Sequence, residues 1–261
     1  MLQALWQYRS FILGLVGRDF RSRYMNSFLG SLWAILNPIA QIVVYTLIFS
    51  QIMMTKLPGI DNVFAYSIYL CAGIINWQYF SEVLTRMQTI FIDQSELLKK
   101  ANFPRTSLPL FVLLSASINY SIMMGLYILF LIIVGQFPGW TILSIIPLLM
   151  IQQCFTVGLG VLLATLNVFF RDVGHFMGVV LQFWFWLTPI VYPRSIVPDQ
   201  FVWIIDTNPL SWLMKSYQDL FLVGEWPNWS EGLWMFALSV ISFVMGYFAF
   251  RRLNKEMVDE L

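Results

Sequence analysis

Apolar runs of about twenty residues recur along the whole sequence, and they restrict the fold more than any other feature. One bilayer crossing takes roughly 20 apolar residues in a helix. A mean hydropathy of +0.71 fits such a chain. We therefore predict an all-α integral membrane protein and exclude a soluble globule. Breaks between the runs predict six spans, at residues 31–54, 63–83, 107–134, 141–167, 175–191 and 232–250.

The distribution of basic residues predicts how these spans are oriented. With both termini on the cytoplasmic side, twelve of the fifteen Lys and Arg residues fall on that side, and only Lys56, Arg194 and Lys215 lie outside. Cytoplasmic loops of membrane proteins carry such an excess. Arg9 interrupts the first apolar stretch and no small-residue cleavage site follows, so we expect the N-terminal segment to remain in the mature protein.

The N-terminal segment combines apolar and basic positions and ends in "RDFRSRYMNSFLGSLW". This pattern predicts an amphipathic helix on the cytoplasmic leaflet, and Gly30 permits a tight turn into the first span. Simple anchoring of the chain at the membrane is the alternative role for these arginines. We predict one domain, 1–261, with an N-terminal helix and turn (1–30), a six-span region (31–250) and a cytoplasmic tail (251–261).

The polar stretch "DQSELLKKANFPR" separates the second and third spans. Glu96 and Lys100 are four residues apart in the order that stabilises a helix. Asp93 is a candidate N-cap three residues before Glu96, and Pro104 would end the helix. The stretch therefore predicts one short cytoplasmic helix.

Between the fifth and sixth spans lie two apolar patches that are too short to cross the membrane. They form either a re-entrant pair sheltered by protein or an interfacial aromatic belt, and the sequence leaves both open. The belt would consist of Trp203, Trp212, Trp226 and Trp229.

Enzymatic chemistry finds little support in the sequence. The phosphate-binding motif G-x-x-x-x-G-K-[ST] is absent, so the chain is not expected to bind ATP. The single histidine, His175, has no second ligand at metal-binding spacing, and we assign no metal. Cys71 and Cys154 both lie within apolar runs and predict no disulfide or zinc site.

Aromatic residues are frequent in and around the first, second and fifth spans. Many would face lipid or pack against neighbouring helices. Because Tyr and Trp join an apolar face to a polar group, they could also line a passage along which sugar rings slide through weak, repeated contacts. The candidates for such a lining are Tyr45, Phe49, Trp77, Tyr79, Phe80, Trp184, Trp186 and Tyr192.

Four motifs, in order along nearly the whole chain, resemble the permease subunit of type-2 ABC polysaccharide exporters, in particular the O-antigen exporter (Wzm-like) permeases. They are "GRDFRSRYMNSFLGSLWAILNP", "LLKKANFPRTSLPL", "NVFFRDVGHF" and "WFWLTPIVYP…NPL". The resemblance implies a homodimer in the bacterial inner membrane, paired with two copies of an ABC ATPase that binds ATP and Mg. The chain itself would carry no cofactor and bind no nucleic acid. The implied substrate is a polysaccharide built on undecaprenyl pyrophosphate.

The resemblance also implies roles for individual residues. Coupling to the ATPase would involve Glu96, Leu97, Leu98, Lys99, Lys100, Phe11 and Arg18. The entrance for the lipid pyrophosphate would involve Arg18, Arg21, Arg23, Leu29 and Gly30, because guanidinium groups match phosphate oxygens. The patches around 199–205 and 210–222 would form the periplasmic gate helices.

Two other classes of function stay open from the sequence. One is a membrane-embedded transferase or polymerase that acts on the same lipid-linked sugar without an ATPase. The other is an ABC-2 permease for a different cargo, such as capsule, teichoic acid, small lipids or drugs. A permease for small drugs would hold a narrow pocket in place of a continuous aromatic passage.

Overall fold

The computed structural model describes residues 8–24, 29–52, 57, 62–99, 105–254 and 256–260, and its regular structure is entirely helical over these ranges. Three short 3₁₀ turns, Gly30–Leu32, Gly139–Ser144 and Arg194–Ile196, accompany the α-helices. A π-helical segment, Thr46–Ile52, continues α2. The α-helices are α1 (Arg9–Tyr24), α2 (Trp33–Tyr45), α3 (Ala65–Asp93), α4 (Ser95–Leu98), α5 (Ser107–Val134), α6 (Ile145–Phe169), α7 (Asp172–Leu187), α8 (Asp199–Thr207), α9 (Pro209–Leu222), α10 (Trp229–Leu253) and α11 (Glu256–Glu260).

Each of the six predicted spans overlaps a helix within the described residues, but only four helical stretches there are both long and apolar enough to cross a membrane. These are Gly30–Phe49, Ser107–Val134, Gly139–Phe169 and Trp229–Leu253. The α7 helix has 16 residues, which is about 24 Å and shorter than the roughly 30 Å hydrocarbon core. The α3 helix is long enough at 29 residues, but it carries polar residues such as Asn76, Glu82 and Arg86.

The centre of the molecule is α3, which packs against α5, α6, α7 and α9. Phe80, Leu84 and Met87 are completely buried on it. A helix that is buried around most of its circumference is a core helix, not a lipid-facing one. This position explains why α3 tolerates polar residues that a lipid-facing helix would not carry.

Buried polar side chains connect α3 to its neighbours. The Tyr120 hydroxyl of α5 donates to the Asn76 side-chain oxygen at 3.0 Å, and Gln152 of α6 donates to the Asn76 carbonyl at 2.9 Å. Tyr127 of α5 donates to the Ile68 carbonyl at 2.8 Å. Hydrogen bonds between helices are a main source of specific packing where lipid removes the hydrophobic driving force.

Glycines bring α6 and α10 into close contact. A Cβ atom added at Gly246 of α10 would lie 2.2 Å from the carbonyl oxygen of Gly158 in α6. Only residues without a side chain allow two helix backbones to approach so closely. The last long helix is therefore packed directly on α6.

The N-terminal helix α1 separates its polar and apolar residues less cleanly than predicted, since Leu13 is 62% exposed. Ile12, Leu15 and Val16 are buried, and the helix packs against α5. Arg18 and Arg21 lie on the exposed side. Gly30 adopts a φ of 51°, in the left-handed region, so the predicted turn before the first span is present and depends on glycine.

The two apolar patches before the last span form α8 and α9. At 14 residues α9 is too short to cross the membrane, and Leu213, Met214 and Tyr217 on it are completely buried in protein. The Asn208 side chain caps α9 by accepting from the Leu210 amide at 3.1 Å. It also accepts from the Trp184 indole at 2.9 Å, so the "NPL" motif joins α9 to the end of α7.

Candidate functional site

The short helix α4 follows α3 almost without a break, and its start differs from the prediction. Gln94, not Asp93, occupies the N-cap position, and no side chain caps the helix. Asp93 is the last residue of α3 and accepts a hydrogen bond from Thr89 at 2.7 Å. The N-cap prediction for Asp93 was wrong, because the preceding helix runs further than the apolar pattern indicated. Pro104, the predicted stop, lies outside the described residues.

The side chains in and directly after α4 divide into an apolar pair that packs on the core and a charged pair that is exposed. Leu98 is only 4% exposed and belongs to the core, and Leu97 packs against the same core. Glu96 and Lys99 are exposed, whereas Lys100 lies outside the described residues. The surface that α4 offers to a partner is therefore charged.

The predicted entrance residues are not equivalent in the structure. Arg18 and Arg21 are exposed on α1, and Leu29 and Gly30 are half-buried at the turn. Arg23, in contrast, forms ion pairs with Asp19 at 3.3 Å and with Glu82 of α3 at 2.9 Å. Phe11, a predicted coupling residue, packs against the core.

Arg23 is part of a polar cluster that joins three helices, which we call the α1–α3–α5 network. Arg86 of α3 contacts Asp19 of α1 at 3.0 Å and Glu82 at 3.4 Å. It also donates to Ser115 of α5 at 3.1 Å. The network consists of Asp19, Arg23, Glu82, Arg86, Ser115 and Asn119.

Both carboxylates of the network receive several donors. Asp19 accepts from Arg23, Arg86 and the Ser115 hydroxyl. Glu82 accepts from the same two arginines and from Asn119 at 3.2 Å. Charged groups that are three-quarters buried are stabilised only when they are paired and hydrogen-bonded in this way. The cluster therefore fixes α1 to the core helix α3.

The sequence did not indicate that these six residues form a network. Its visible signal was the spacing of Glu82 and Arg86, four residues apart on one helix. Charged residues at the end of a span also point to function. Asp19, Ser115 and Asn119 gave no signal of their own.

The predicted channel aromatics separate into two groups. Trp77, Tyr79 and Phe80 are 7%, 5% and 0% exposed, respectively. Tyr79 stacks on Tyr120 with ring centroids 4.4 Å apart, and Phe80 makes an edge contact with Trp184 at 5.4 Å. These three rings pack between helices of one subunit.

The other candidates lie nearer the surface. Trp186 is 58% exposed, and Tyr45, Phe49, Trp184 and Tyr192 are half-buried. The Tyr192 hydroxyl donates to the Trp186 carbonyl at 2.6 Å. Among the described residues no group of His, Cys, Asp and Glu is arranged to hold a metal ion.

The chain is similar to a known family along most of its length. The family described as ABC-2 type transporter matches residues 11–222, which is most of the chain and includes α1 to α9. The chain belongs to the ABC-2 type transporter family.

Relatives of this ABC-2 permease include O-antigen export permeases and a polysialic acid transport protein. It is 31% identical over 248 residues to the O-antigen export system permease protein RfbA of Klebsiella pneumoniae, covering 95% of this chain and 93% of the relative. It is 32% identical to the RfbA protein of Myxococcus xanthus, covering 92% and 91%. Identity to the polysialic acid transport protein KpsM of Escherichia coli is 24%, covering 79% of each chain.

Membership of this family shows which part of the transporter this chain forms. The ABC-2 permease is the transmembrane component of its transporter and a multi-pass membrane protein, and it is not the ATPase. ATP is bound by a separate ATPase chain, and the permease carries no cofactor of its own. The resemblance seen in the four sequence motifs is thereby confirmed.

Proposed function

We propose that this ABC-2 permease forms the channel of an ATP-driven exporter that moves an undecaprenyl-pyrophosphate-linked polysaccharide of the O-antigen kind from cytoplasm to periplasm. The observation that carries the proposal is identity of 31% and 32% to two O-antigen export permeases over more than nine-tenths of both chains. In this proposal the six helical spans lie in the bacterial inner membrane with both termini in the cytoplasm.

The channel is proposed to form between two copies of the chain, at α2 and α7. Both helices expose large apolar side chains, among them Val43 and Leu47 on α2 and its continuation and Phe183 and Trp186 on α7. Two such faces together would enclose a passage bordered by aromatic rings. Tyr45, Phe49, Trp184, Trp186 and Tyr192 are the candidates within reach of it.

Trp77, Tyr79 and Phe80 enter this proposal differently. Because they are buried between α3 and its neighbours, they can contact a polymer only if α3 moves away from α5 or α7. We assign them to the wall behind the passage. The half-buried α9 and the exposed α8 are proposed as the periplasmic gate, with α9 re-entrant and α8, which exposes Trp203, at the interface.

Coupling to the ATPase is proposed to use α4 and α1. The exposed Glu96 and Lys99 would contact the ATPase, while Leu97 and Leu98 anchor α4 to the core. Arg18 and Arg21, which are exposed on α1, would attract the lipid pyrophosphate near Gly30. Arg23 has its guanidinium committed to Asp19 and Glu82 and would transmit motion instead.

Export of a capsule polymer is the second candidate, and the similarity to the polysialic acid transport protein favours it. That similarity is lower, at 24% identity. The two candidates differ in the polymer that the exporter would carry.

The test is deletion of the gene in the strain that encodes it. We expect surface polysaccharide to be lost and undecaprenyl-linked polymer to accumulate in the cytoplasm, both restored by the wild-type gene. The measurements are polysaccharide blotting of the cell surface and mass spectrometry of extracted lipid-linked sugar. Normal surface polysaccharide in the deletion strain would contradict the proposal, and loss of capsule alone would favour the second candidate.

A further inference from the structure

A cavity of about 600 Å³ lies beside α9, between the loop after α7, α8 and the start of α10. Its volume is typical of small-molecule sites. The groups that determine its chemistry are Ser211, Trp212, Lys215, Asp219, Glu231 and Trp234, and we call it the α9 cavity. We propose that the α9 cavity binds sugar units of the exported polysaccharide as they emerge, an inference that rests on the function proposed above.

The α9 helix presents one continuous polar face to the cavity. Ser211, Lys215 and Asp219 follow each other at intervals of four residues, so they lie on the same side of the helix. Glu231 and Trp234, one turn apart on α10, form the facing wall. The helix face opposite the cavity is the buried apolar one, so the polar side chains are held on a rigid element.

Two groups at the cavity have no hydrogen-bond partner among the described residues. Asp219 is half-buried, and its carboxylate has no direct hydrogen bond or ion pair with a described residue, only longer-range interactions with charges such as Lys215. Ser211 is 8% exposed, and its hydroxyl oxygen is buried without a hydrogen-bond partner. Most buried polar groups in native proteins are hydrogen-bonded. A carboxylate and a hydroxyl that both lack a hydrogen-bond partner at one cavity therefore indicate a ligand with hydroxyl groups.

The charge of the cavity favours a neutral ligand. Arg194 and Asp206 neutralise each other through two hydrogen bonds of 2.8 Å. Lys215 lies 4.0 Å from Glu231, which leaves Asp219 as the excess negative charge. A free phosphate would meet more carboxylates than cations. Neutral sugar hydroxyls can donate to Asp219 and accept from Lys215, and each such bond to a charged group is a strong one.

Tryptophans supply the apolar part of the site. Trp234 is 51% exposed. Trp212 is fixed by its indole hydrogen bond to the Asn228 carbonyl at 3.2 Å and by Gly232, where an added Cβ would lie 2.3 Å from the Trp212 ring. The flat face of an indole suits the C–H face of a pyranose ring, while polar groups beside it hold the hydroxyls. The glycine therefore keeps Trp212 in place beside the cavity.

The experiment measures binding by the full chain together with its ATPase in lipid nanodiscs. The probe is the oligosaccharide repeat released by mild acid from the surface polysaccharide of the source strain, followed by saturation-transfer NMR. Asp219→Asn should lower affinity by about tenfold, because a charged acceptor is replaced by a neutral one. Trp234→Ala should lower it by about fivefold through loss of the ring. Ser211→Ala, which removes a single hydroxyl, should lower it by about threefold.

Matched controls lie outside the cavity. Asp199→Asn changes an exposed carboxylate of α8, and Trp226→Ala removes a tryptophan that is 59% exposed. Both should leave affinity within about twofold. Size-exclusion profiles and helix content establish that every variant is folded.

The outcomes separate the cavity from the function on which it rests. The α9 cavity is not a sugar site if the wild-type complex does not bind the probe, or if Asp219→Asn and Trp234→Ala bind it as well as the control variants do. In either case the proposed export function is still tested separately by the deletion strain. If the deletion strain keeps its surface polysaccharide, the proposed function fails, and the role of the cavity in export fails with it.

Discussion

The α1–α3–α5 network and the α9 cavity both gather opposite charges, but they arrange them differently. In the network Asp19 meets Arg86, which is 67 residues away in sequence, and each carboxylate also meets Arg23. In the cavity Arg194 pairs with Asp206, only 12 residues away, and the Asp219 carboxylate has no direct partner in the described part of the chain. The network joins three helices, whereas the ion pairs at the α9 cavity join segments that are neighbours in sequence.

This difference suggests what each region contributes. A charge that is paired on several helices stabilises their arrangement, and removing one member leaves the others uncompensated. A partly buried charge without a direct partner lowers stability, and such a charge is retained where it serves binding. The network should therefore respond to mutation through stability and the cavity through affinity.

Arg86→Ala should give the largest effect on stability. It removes donors from Asp19, Glu82 and Ser115 at once, and the side chain is 22% exposed. We expect the free energy of unfolding to fall by about 2 kcal/mol. The measurement is unfolding of the purified permease by SDS titration in detergent micelles.

Arg21→Ala is the matched control, since Arg21 is an exposed arginine of α1. Its unfolding free energy should stay within about 0.5 kcal/mol of wild type. Equal losses for the two variants would show that the network does not fix α1 to the core.

Asp219→Asn should change the free energy of unfolding in the opposite direction and stabilise the protein. An unpaired, half-buried carboxylate is costly to desolvate, and an amide costs less. We expect the unfolding free energy to rise by up to about 1 kcal/mol while affinity for the sugar probe falls. Destabilisation in the same SDS titration would mean that Asp219 has a structural partner and that the contrast between the two regions fails.

The smallest effect is expected for the exposed pair of Arg194 and Asp206, whose side chains are 55% and 50% exposed. The hydrogen bond from Arg194 holds the pKa of Asp206 below its usual range. The contribution of the pair to the free energy of unfolding is therefore complete above the pKa of unfolded aspartate, about 3.9. It is lost as the pH falls through the pKa of Asp206 in the folded protein.

Asp206→Asn should consequently change the unfolding free energy by less than about 0.5 kcal/mol at pH 7. The difference from wild type should disappear at a pH well below 4. Thermal unfolding in detergent at both pH values measures it. A larger loss at neutral pH would place this pair among the connections that hold α8 in position.

The sequence predicted best those features of the fold that depend on residues adjacent in the chain. The span 107–134 coincides with Ser107–Val134 because Gly135, at a φ of 75°, ends the helix in the left-handed region. The turn at Gly30 was predicted on the same local grounds. The role of Asp93 was mistaken because α3 extends past its apolar part to that residue, through Glu82 and Arg86.

The candidate site was harder to predict, since aromatic residues carry no local sign of where they face. Trp77 and Trp186 were equivalent candidates in the sequence, yet one is 7% exposed and the other 58%. Leu98 was a candidate for docking and is in the core. These outcomes depend on the packing of α3 and α7, which no single helix specifies.

The sequence by itself determined a helical, multi-pass membrane protein, because the bilayer requires each span to satisfy its own backbone hydrogen bonds. That requirement acts within one segment and is readable from composition and spacing. Tertiary structure alone decided that Asp19 meets Arg86 and Ser115 and that Asp219 meets no direct partner within the described ranges. Pairing of charges depends on distances of a few Å between segments far apart in the chain, because the interaction strengthens steeply as charges approach in a poorly solvated interior.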